Sequence, residues 1–177
     1  MISIVLLICI AMVAIEMIIL FMFNKKNREM HDCIKAASNI ARDMLLEMML
    51  RNPYAPQAEH EKSIDLKNYI CLMQTNSHTK HKYVYSLNSP VCIGRAKSKN
   101  QLILKDDLVS EYHCMIYMQQ DGVYLRDLNS ANGTIVKTGA AKSYLVSNGN
   151  SMLLQNGNKL VIGTMEYVIK LFELEDY

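Results

Sequence analysis

The hydrophobic positions divide the chain into a continuous apolar run, a helical stripe and a long region of alternation. The run from Ile2 to Phe23 holds 22 residues with one ionisable side chain, Glu16. At about 1.5 Å per residue, a helix of this length spans a hydrocarbon core of roughly 30 Å. No basic residue precedes the run, which disfavours a cleaved signal peptide. The pattern therefore predicts a transmembrane helix over residues 2–23.

The charges beside this run predict its orientation. Lys25, Lys26 and Arg28 follow the run, and no cationic side chain precedes it. The positive-inside rule then predicts a single-pass protein of the cell membrane, with its N-terminus outside and the remainder cytoplasmic. Glu16 has two interpretations: a contact to another transmembrane helix, or a protonated side chain tolerated by a strongly apolar span.

A helical stripe follows the run. Between Asn27 and Arg51, apolar residues recur every three or four positions, with charged residues between them. This spacing predicts a juxtamembrane amphipathic helix over residues 24–51. Its apolar face would mediate self-association, for instance a homodimer, pack on the chain's own globular domain, or rest on the bilayer. Asn52-Pro53 ends the helix, and the polar residues 52–63 indicate a linker.

The remaining residues, 64–177, have the pattern of an all-β domain. Four glycines directly follow Asn or Asp. Asn-Gly and Asp-Gly dipeptides tolerate positive φ in tight turns, and we interpret these four positions as hairpin turns. The pairs are Asp121-Gly122, Asn132-Gly133, Asn148-Gly149 and Asn156-Gly157. Between them lie short β-rich runs, and the last run alternates Met165, Tyr167, Ile169 and Leu171 with polar residues. Such strands predict a two-sheet β-sandwich with its loops at the ends.

Composition excludes several classes of protein. The 19 Lys and Arg residues nearly balance the 17 Asp and Glu residues, so no nucleic-acid partner is indicated. Five scattered cysteines without a Cys-x-x-Cys pair indicate neither a disulfide framework nor a zinc site. The common nucleotide-binding, hydrolase and metalloprotease motifs are missing from the sequence, so we expect a binding protein without a cofactor and not an enzyme.

Three spaced motifs carry a family resemblance. They are Val91-Cys92-Ile93-Gly94-Arg95, Val109-Ser110-Glu111-Tyr112-His113 and Leu125-Arg126-Asp127-Leu128-Asn129-Ser130-Ala131-Asn132-Gly133-Thr134. In order and spacing they resemble the forkhead-associated (FHA) domain. The resemblance covers roughly residues 66 to 174 and implies an FHA-like sandwich of about eleven strands that binds phosphothreonine peptides through the loops at one end.

The resemblance also implies roles for individual residues. Arg95 matches the arginine that contacts phosphate, Ser110 the serine whose hydroxyl donates to it, and Asn132 the asparagine that fixes the peptide backbone. Three further residues match positions that shape these loops: Gly94, His113 and Gly133. A phosphothreonine carries about −1.5 to −2 charge and three acceptor oxygens, so one permanent cation with neutral donors suits it chemically.

Four positions bear on affinity and selectivity. Glu111 follows Ser110 where many family members have a basic or amide residue, and Ala131 lacks the polar group often found before the asparagine; both are expected to weaken binding. Lys97, in the loop after Arg95, would compensate electrostatically or be merely solvated. Leu108 resembles a position that selects the third residue after the phosphothreonine, where we expect an apolar preference.

Together these features predict a membrane-anchored cytoplasmic module that recruits phosphothreonine proteins in Ser/Thr kinase signalling. The alternative function is a phosphate-independent, FHA-like scaffold subunit of a membrane complex, which Glu111 and Ala131 would favour. In that case Glu16 and the juxtamembrane helix would make the specific contacts.

Overall fold

The computed structural model of the chain describes residues 2–51, 68–76, 81–139 and 142–174. Within the first of these ranges, the side chains of residues 2–11, 45 and 47–51 lie outside the description. The predicted linker, residues 52–63, also lies outside it. The chain divides into two compact units, Met1–Ala36 and Ala37–Tyr177.

One helix, α1, runs from Ile2 to Arg51, so the two helices predicted for this region form one continuous element. Good helix formers such as Ala, Leu, Met, Glu and Lys dominate its second half. In that half, Cys33 and Ala37 are fully buried, whereas Ile34 is exposed. The two buried residues are four positions apart and therefore lie on one face of the helix.

The membrane span predicted for residues 2–23 is not supported by the structure. Among the residues whose side chains are described, no helix has a stretch long and apolar enough to cross a bilayer.

Eleven strands follow the helix. Their bounds are β1 Asn68–Gln74, β2 Lys82–Ser86, β3 Val91–Gly94, β4 Leu102–Ile103, β5 Cys114–Gln119, β6 Gly122–Asp127, β7 Thr134–Thr138, β8 Lys142–Val146, β9 Ser151–Leu153, β10 Lys159–Ile162 and β11 Met165–Glu173. They form a six-stranded sheet in the order β2-β1-β11-β10-β7-β8 and a five-stranded sheet in the order β4-β3-β5-β6-β9. The predicted all-β, two-sheet sandwich is thus confirmed.

The core lies between the two sheets and comes from alternate strand positions. In the five-stranded sheet, Val91 lies opposite Ile116, which lies opposite Leu125, and all three are buried. In β11, Tyr167 and Ile169 are fully buried, as the alternation predicts. Burial of one face of each sheet fixes the strand register, because a shift by one residue would expose these side chains.

The hairpin interpretation is confirmed at only one of the four predicted turns. Asp121-Gly122 joins β5 and β6, which are antiparallel neighbours. The turns at Asn148-Gly149 and Asn156-Gly157 instead connect strands of different sheets, as does the loop that contains Asn132-Gly133. Positive φ, such as 56° at Asn148 and 74° at Gly149, suits any tight turn, so the residue pair alone does not identify a hairpin.

Candidate functional site

Three loops meet at one end of the sandwich and carry the residues that the sequence motifs singled out. They are the β3–β4 loop (95–101), the β4–β5 loop (104–113) and the β6–β7 loop (128–133). The first two run side by side, because the Arg95 amide donates to the Ser110 carbonyl at 2.9 Å and the Ala96 amide to the Glu111 carbonyl at 3.2 Å. Arg95 and Ser110 are therefore neighbours through the main chain.

Gly94 makes this close approach possible. It is buried at the end of β3, and a Cβ atom built there would overlap the carbonyl oxygen of Glu111. The nearest atoms belong to the backbone, which cannot move aside as a flexible side chain would. Any larger residue at position 94 would separate the two loops and, with them, Arg95 from Ser110.

The guanidinium of Arg95 is anchored at one nitrogen and open at the other two. Nε donates to the Val109 carbonyl at 3.2 Å, and the side chain is exposed. Among the described residues, neither terminal nitrogen has a hydrogen-bond partner, and neither Asp106 nor Asp107 pairs with Arg95. The guanidinium thus presents two free N–H-bearing nitrogens in a fixed plane, the geometry that matches an oxyanion.

Ser110 and Asn132 lie on the adjoining loops with their polar atoms partly engaged. Ser110 Oγ accepts the Ala131 amide at 3.0 Å, so its own hydroxyl hydrogen stays available for donation. Asn132 Nδ2 donates to the Leu108 carbonyl at 2.8 Å, which fixes the amide plane while the side chain stays exposed. Asn132 Oδ1 can then accept from the main chain of a ligand.

His113 ties the second loop to the third and is fully buried. Its Nδ1 accepts the Ser110 amide at 3.1 Å, so the proton must reside on Nε2, which lies 3.1 Å from the Gly133 carbonyl and donates to it. Burial lowers the pKa of His113 below its usual 6.5, against the opposing effects of the Gly133 carbonyl and Asp127. The ring is neutral at pH 7, and both nitrogens are occupied.

A buried carboxylate supports the third loop, and the sequence reasoning assigned it no role. Asp127 is fully buried and accepts the Ser130 amide at 3.1 Å, the Ser130 hydroxyl at 2.5 Å and the Gly149 amide at 3.3 Å. Ser130 Oγ in turn accepts the Gly133 amide at 3.0 Å. Asp127, Ser130 and Gly133 are three positions apart, a spacing typical of turns that a side chain caps. This spacing could have revealed the role of Asp127 from the sequence.

Asn100 is a second residue that the sequence reasoning left without a role. Its amide nitrogen donates to the carbonyls of Ala96 and Glu111, both at 2.8 Å. The residue is buried, and its two hydrogen bonds join the first loop to the second.

The structure places the four selectivity candidates as follows. The side chains of Lys97, Leu108 and Glu111 are exposed on the loops, Leu108 by 50%. Among the described residues, Lys97 forms no hydrogen bond with the other site residues. Ala131 contributes its amide rather than its side chain, so the missing polar group at this position removes no contact with Ser110.

A buried thiol, Cys114, directly follows the second loop. Burial raises the pKa of the neighbouring Cys114 thiol to about 12, which keeps it protonated and a poor nucleophile. In the described part of the chain, no group of three or more His, Cys, Asp or Glu side chains is placed to hold a metal ion. One cation and directed neutral donors, held on rigid loops, form a site for an anion.

Fold and site together define a β-sandwich that presents a candidate binding site on its loops at one end. Residues 91–163 match the family model of the FHA domain. The solution structure of the FHA domain of an Arabidopsis thaliana hypothetical protein is 17% identical and has a TM-score of 0.50, covering 69% of this chain and 98% of that one. This likeness supports the fold.

Two further solved FHA domains are similar. The FHA domain of the CT664 protein from Chlamydia trachomatis is 18% identical, with 62% of this chain and 98% of that chain covered and a TM-score of 0.44. A domain from a study of phosphothreonine-dependent FHA interactions is 22% identical, with 63% and 99% covered and a TM-score of 0.43. The comparison with curated proteins found no match.

Proposed function

We propose that this FHA domain binds segments of partner proteins that contain phosphothreonine, and that Arg95, Ser110 and Asn132 make the contacts. A serine/threonine kinase would produce the phosphothreonine. FHA domains are among the modules that recognise phosphorylated motifs. The observation that carries the proposal is the exposed Arg95 guanidinium, whose Nε donates to the Val109 carbonyl while neither terminal nitrogen has a hydrogen-bond partner among the described residues. A charged donor held in one orientation loses little freedom when it binds a phosphate.

The neighbouring donors complement this cation. The hydroxyl of Ser110 keeps its hydrogen for the phosphate, since its oxygen is already positioned by the Ala131 amide. Asn132, whose amide group is fixed by the Leu108 carbonyl, accepts a main-chain N–H of the ligand through Oδ1. Phosphate and backbone would thus be recognised together, which selects a phosphorylated extended peptide over free phosphate. Lys97 adds attraction at longer range.

Titration of the full chain in detergent micelles with a phosphothreonine peptide library tests this function. We expect saturable binding to phosphothreonine peptides and none to the same peptides without phosphate, with phosphoserine versions as a second control. At the third position after the phosphothreonine, Leu108 is expected to favour apolar residues, and a preference for acidic residues there would contradict this. Binding that ignores the phosphate would instead favour the phosphate-independent scaffold, in which Glu16 and the juxtamembrane helix make the specific contacts.

We also propose that residues 2–23 anchor this module in the cell membrane with the FHA domain in the cytoplasm. The proposal is carried by the sequence: 22 residues with Glu16 as the one ionisable side chain, followed by Lys25, Lys26 and Arg28. Glu16 is a candidate contact for a second copy or another membrane helix. The full chain is expected to stay with membranes through alkaline extraction, and its release into the aqueous fraction would overturn the anchoring.

A further inference from the structure

Asp106 links the second ligand loop to a distant turn of the other sheet. Its Oδ2 accepts the Thr164 amide at 2.7 Å and the Thr164 hydroxyl at 2.6 Å, and its Oδ1 accepts the Leu108 amide at 2.9 Å. Thr164 lies in the turn between β10 and β11 of the six-stranded sheet. One carboxylate therefore joins the β4–β5 loop to this turn, and we name the three residues Asp106, Leu108 and Thr164 the clamp.

The turn is shaped to receive this carboxylate. Gly163 has φ +58°, and a Cβ atom there would come within 2.6 Å of Asp106 Oδ2. Asn76 holds the opposite side of the turn, since its Nδ2 donates to the Thr164 carbonyl at 2.5 Å and its Oδ1 accepts the Glu166 amide at 3.1 Å. The turn is thus a fixed anchor, and the loop is the part that the clamp positions.

The clamp continues into the proposed ligand site through a single residue. Leu108 receives the Asp106 contact at its amide and offers its carbonyl to Asn132 Nδ2 at 2.8 Å. Asn132 makes no other side-chain hydrogen bond among the described residues. Any shift of Leu108 would therefore rotate the Asn132 amide away from the orientation in which Oδ1 faces a ligand.

We infer that Asp106 and Thr164 are positioning residues for ligand binding, which orient Asn132 through the main chain of Leu108. This inference rests on the proposed function and names residues that touch neither phosphate nor peptide. A positioning role differs from a purely stabilising role in one respect. Removal of the clamp should change the affinity for the ligand only through Asn132.

Two substitutions open the clamp with little change in shape. Asp106→Asn replaces one acceptor oxygen by a donor, so the side chain can no longer accept from both Leu108 and Thr164, and Thr164→Val removes one donor hydroxyl. We expect each to raise the Kd for a phosphothreonine peptide about 10-fold in the full chain, the equivalent of one lost hydrogen bond to a charged group. Thr164→Ser, which keeps the hydroxyl, should bind like the unsubstituted chain.

A double-mutant cycle separates positioning from stability. In an Asn132→Ala background, Asp106→Asn should have almost no further effect on affinity, because the group that it positions is gone. The matched control is Asn156→Ala, which removes two bonds to the Leu171 main chain at 2.6 and 3.0 Å, outside the three loops of the site. It should lower the melting temperature without changing the Kd. An unchanged Kd in Asp106→Asn, or the same 10-fold loss with and without Asn132, would overturn the inference.

The ligand-free protein gives a second readout that does not depend on the proposed function. Asn132 Nδ2 donates a hydrogen bond to the Leu108 carbonyl, so the side-chain amide protons of Asn132 should have a distinct NMR chemical shift. In the Asp106→Asn protein, this chemical shift should move toward that of a free amide. If the unsubstituted chain binds no phosphopeptide and this shift still occurs, the proposed function fails while the positioning stands. If the unsubstituted chain binds and the Asn132 signal is unaffected by Asp106→Asn, the positioning fails while the function stands.

Discussion

Replacement of Arg95 by alanine is expected to lower the affinity for a phosphothreonine peptide by about 100-fold or more. Each hydrogen bond to a charged group contributes about 1.5–3 kcal/mol, and the two free terminal nitrogens of Arg95 can each supply one. The loss of two such bonds is roughly 3 kcal/mol or more, and each 1.4 kcal/mol is about a factor of ten in Kd. Isothermal titration of both proteins with one phosphopeptide measures this difference.

The fold should tolerate this change, because the side chain makes one hydrogen bond, from Nε to the Val109 carbonyl, and is otherwise exposed. Arg95→Lys keeps the positive charge but loses the planar guanidinium. The affinity of this protein for the phosphopeptide should lie between those of the unsubstituted and Arg95→Ala proteins. Arg126→Ala serves as the matched control, since Arg126 is an exposed arginine in β6 and outside the loops. Equal affinities for the Arg95→Ala and Arg126→Ala proteins would exclude Arg95 from the phosphate site.

The strands of the sandwich were largely predictable from the sequence, because burial of one face imposes a period of two. The alternation in β11 correctly predicted that Tyr167 and Ile169 face the core. The connections were less predictable. An Asn-Gly pair specifies a backbone conformation with positive φ and not which strands it joins, so Asn156-Gly157 leads from one sheet to the other.

The site was predictable where residues stand in a recognisable motif and not where distant residues meet. Arg95, Ser110 and Asn132 were expected from the resemblance to the FHA family, and the structure brings their loops together. The contact between Asp106 and Thr164 spans 58 positions and leaves no periodic signal in the sequence. The Ala131 contact with Ser110 was also hidden, because it comes from the main chain and any residue except proline would provide it.

Because the ligand residues lie on three separate loops, their relative placement depends on the groups that join the loops. Asn100 joins the first to the second, His113 the second to the third, and Asp127 the third to the turn at Gly149. All three are buried polar side chains, whose loss leaves unpaired main-chain groups inside the protein.

His113→Ala is expected to lower the free energy of unfolding by about 3 kcal/mol and to abolish tight phosphopeptide binding. The change leaves the Ser110 amide and the Gly133 carbonyl without partners, at about 1–3 kcal/mol for each buried unpaired group. It also leaves a cavity where the ring was. Urea unfolding followed by circular dichroism measures the stability. An effect below ~1 kcal/mol would mean that water or a loop shift replaces both bonds.

The same ring makes stability depend on pH in a defined direction. The pKa of His113 is lowered in the folded protein by burial, so the unfolded chain binds its proton first as the pH falls. This stabilisation is complete above about pH 6.5 and is lost progressively below it, by at most ~1.4 kcal/mol per pH unit for one group. Urea midpoints measured between pH 7.5 and 5.5 should therefore decline below pH 6.5. The His81→Ala protein, which lacks a histidine outside the site, should show the same decline in urea midpoint below pH 6.5. If the decline disappears in this protein, the pH dependence belongs to His81 instead of His113.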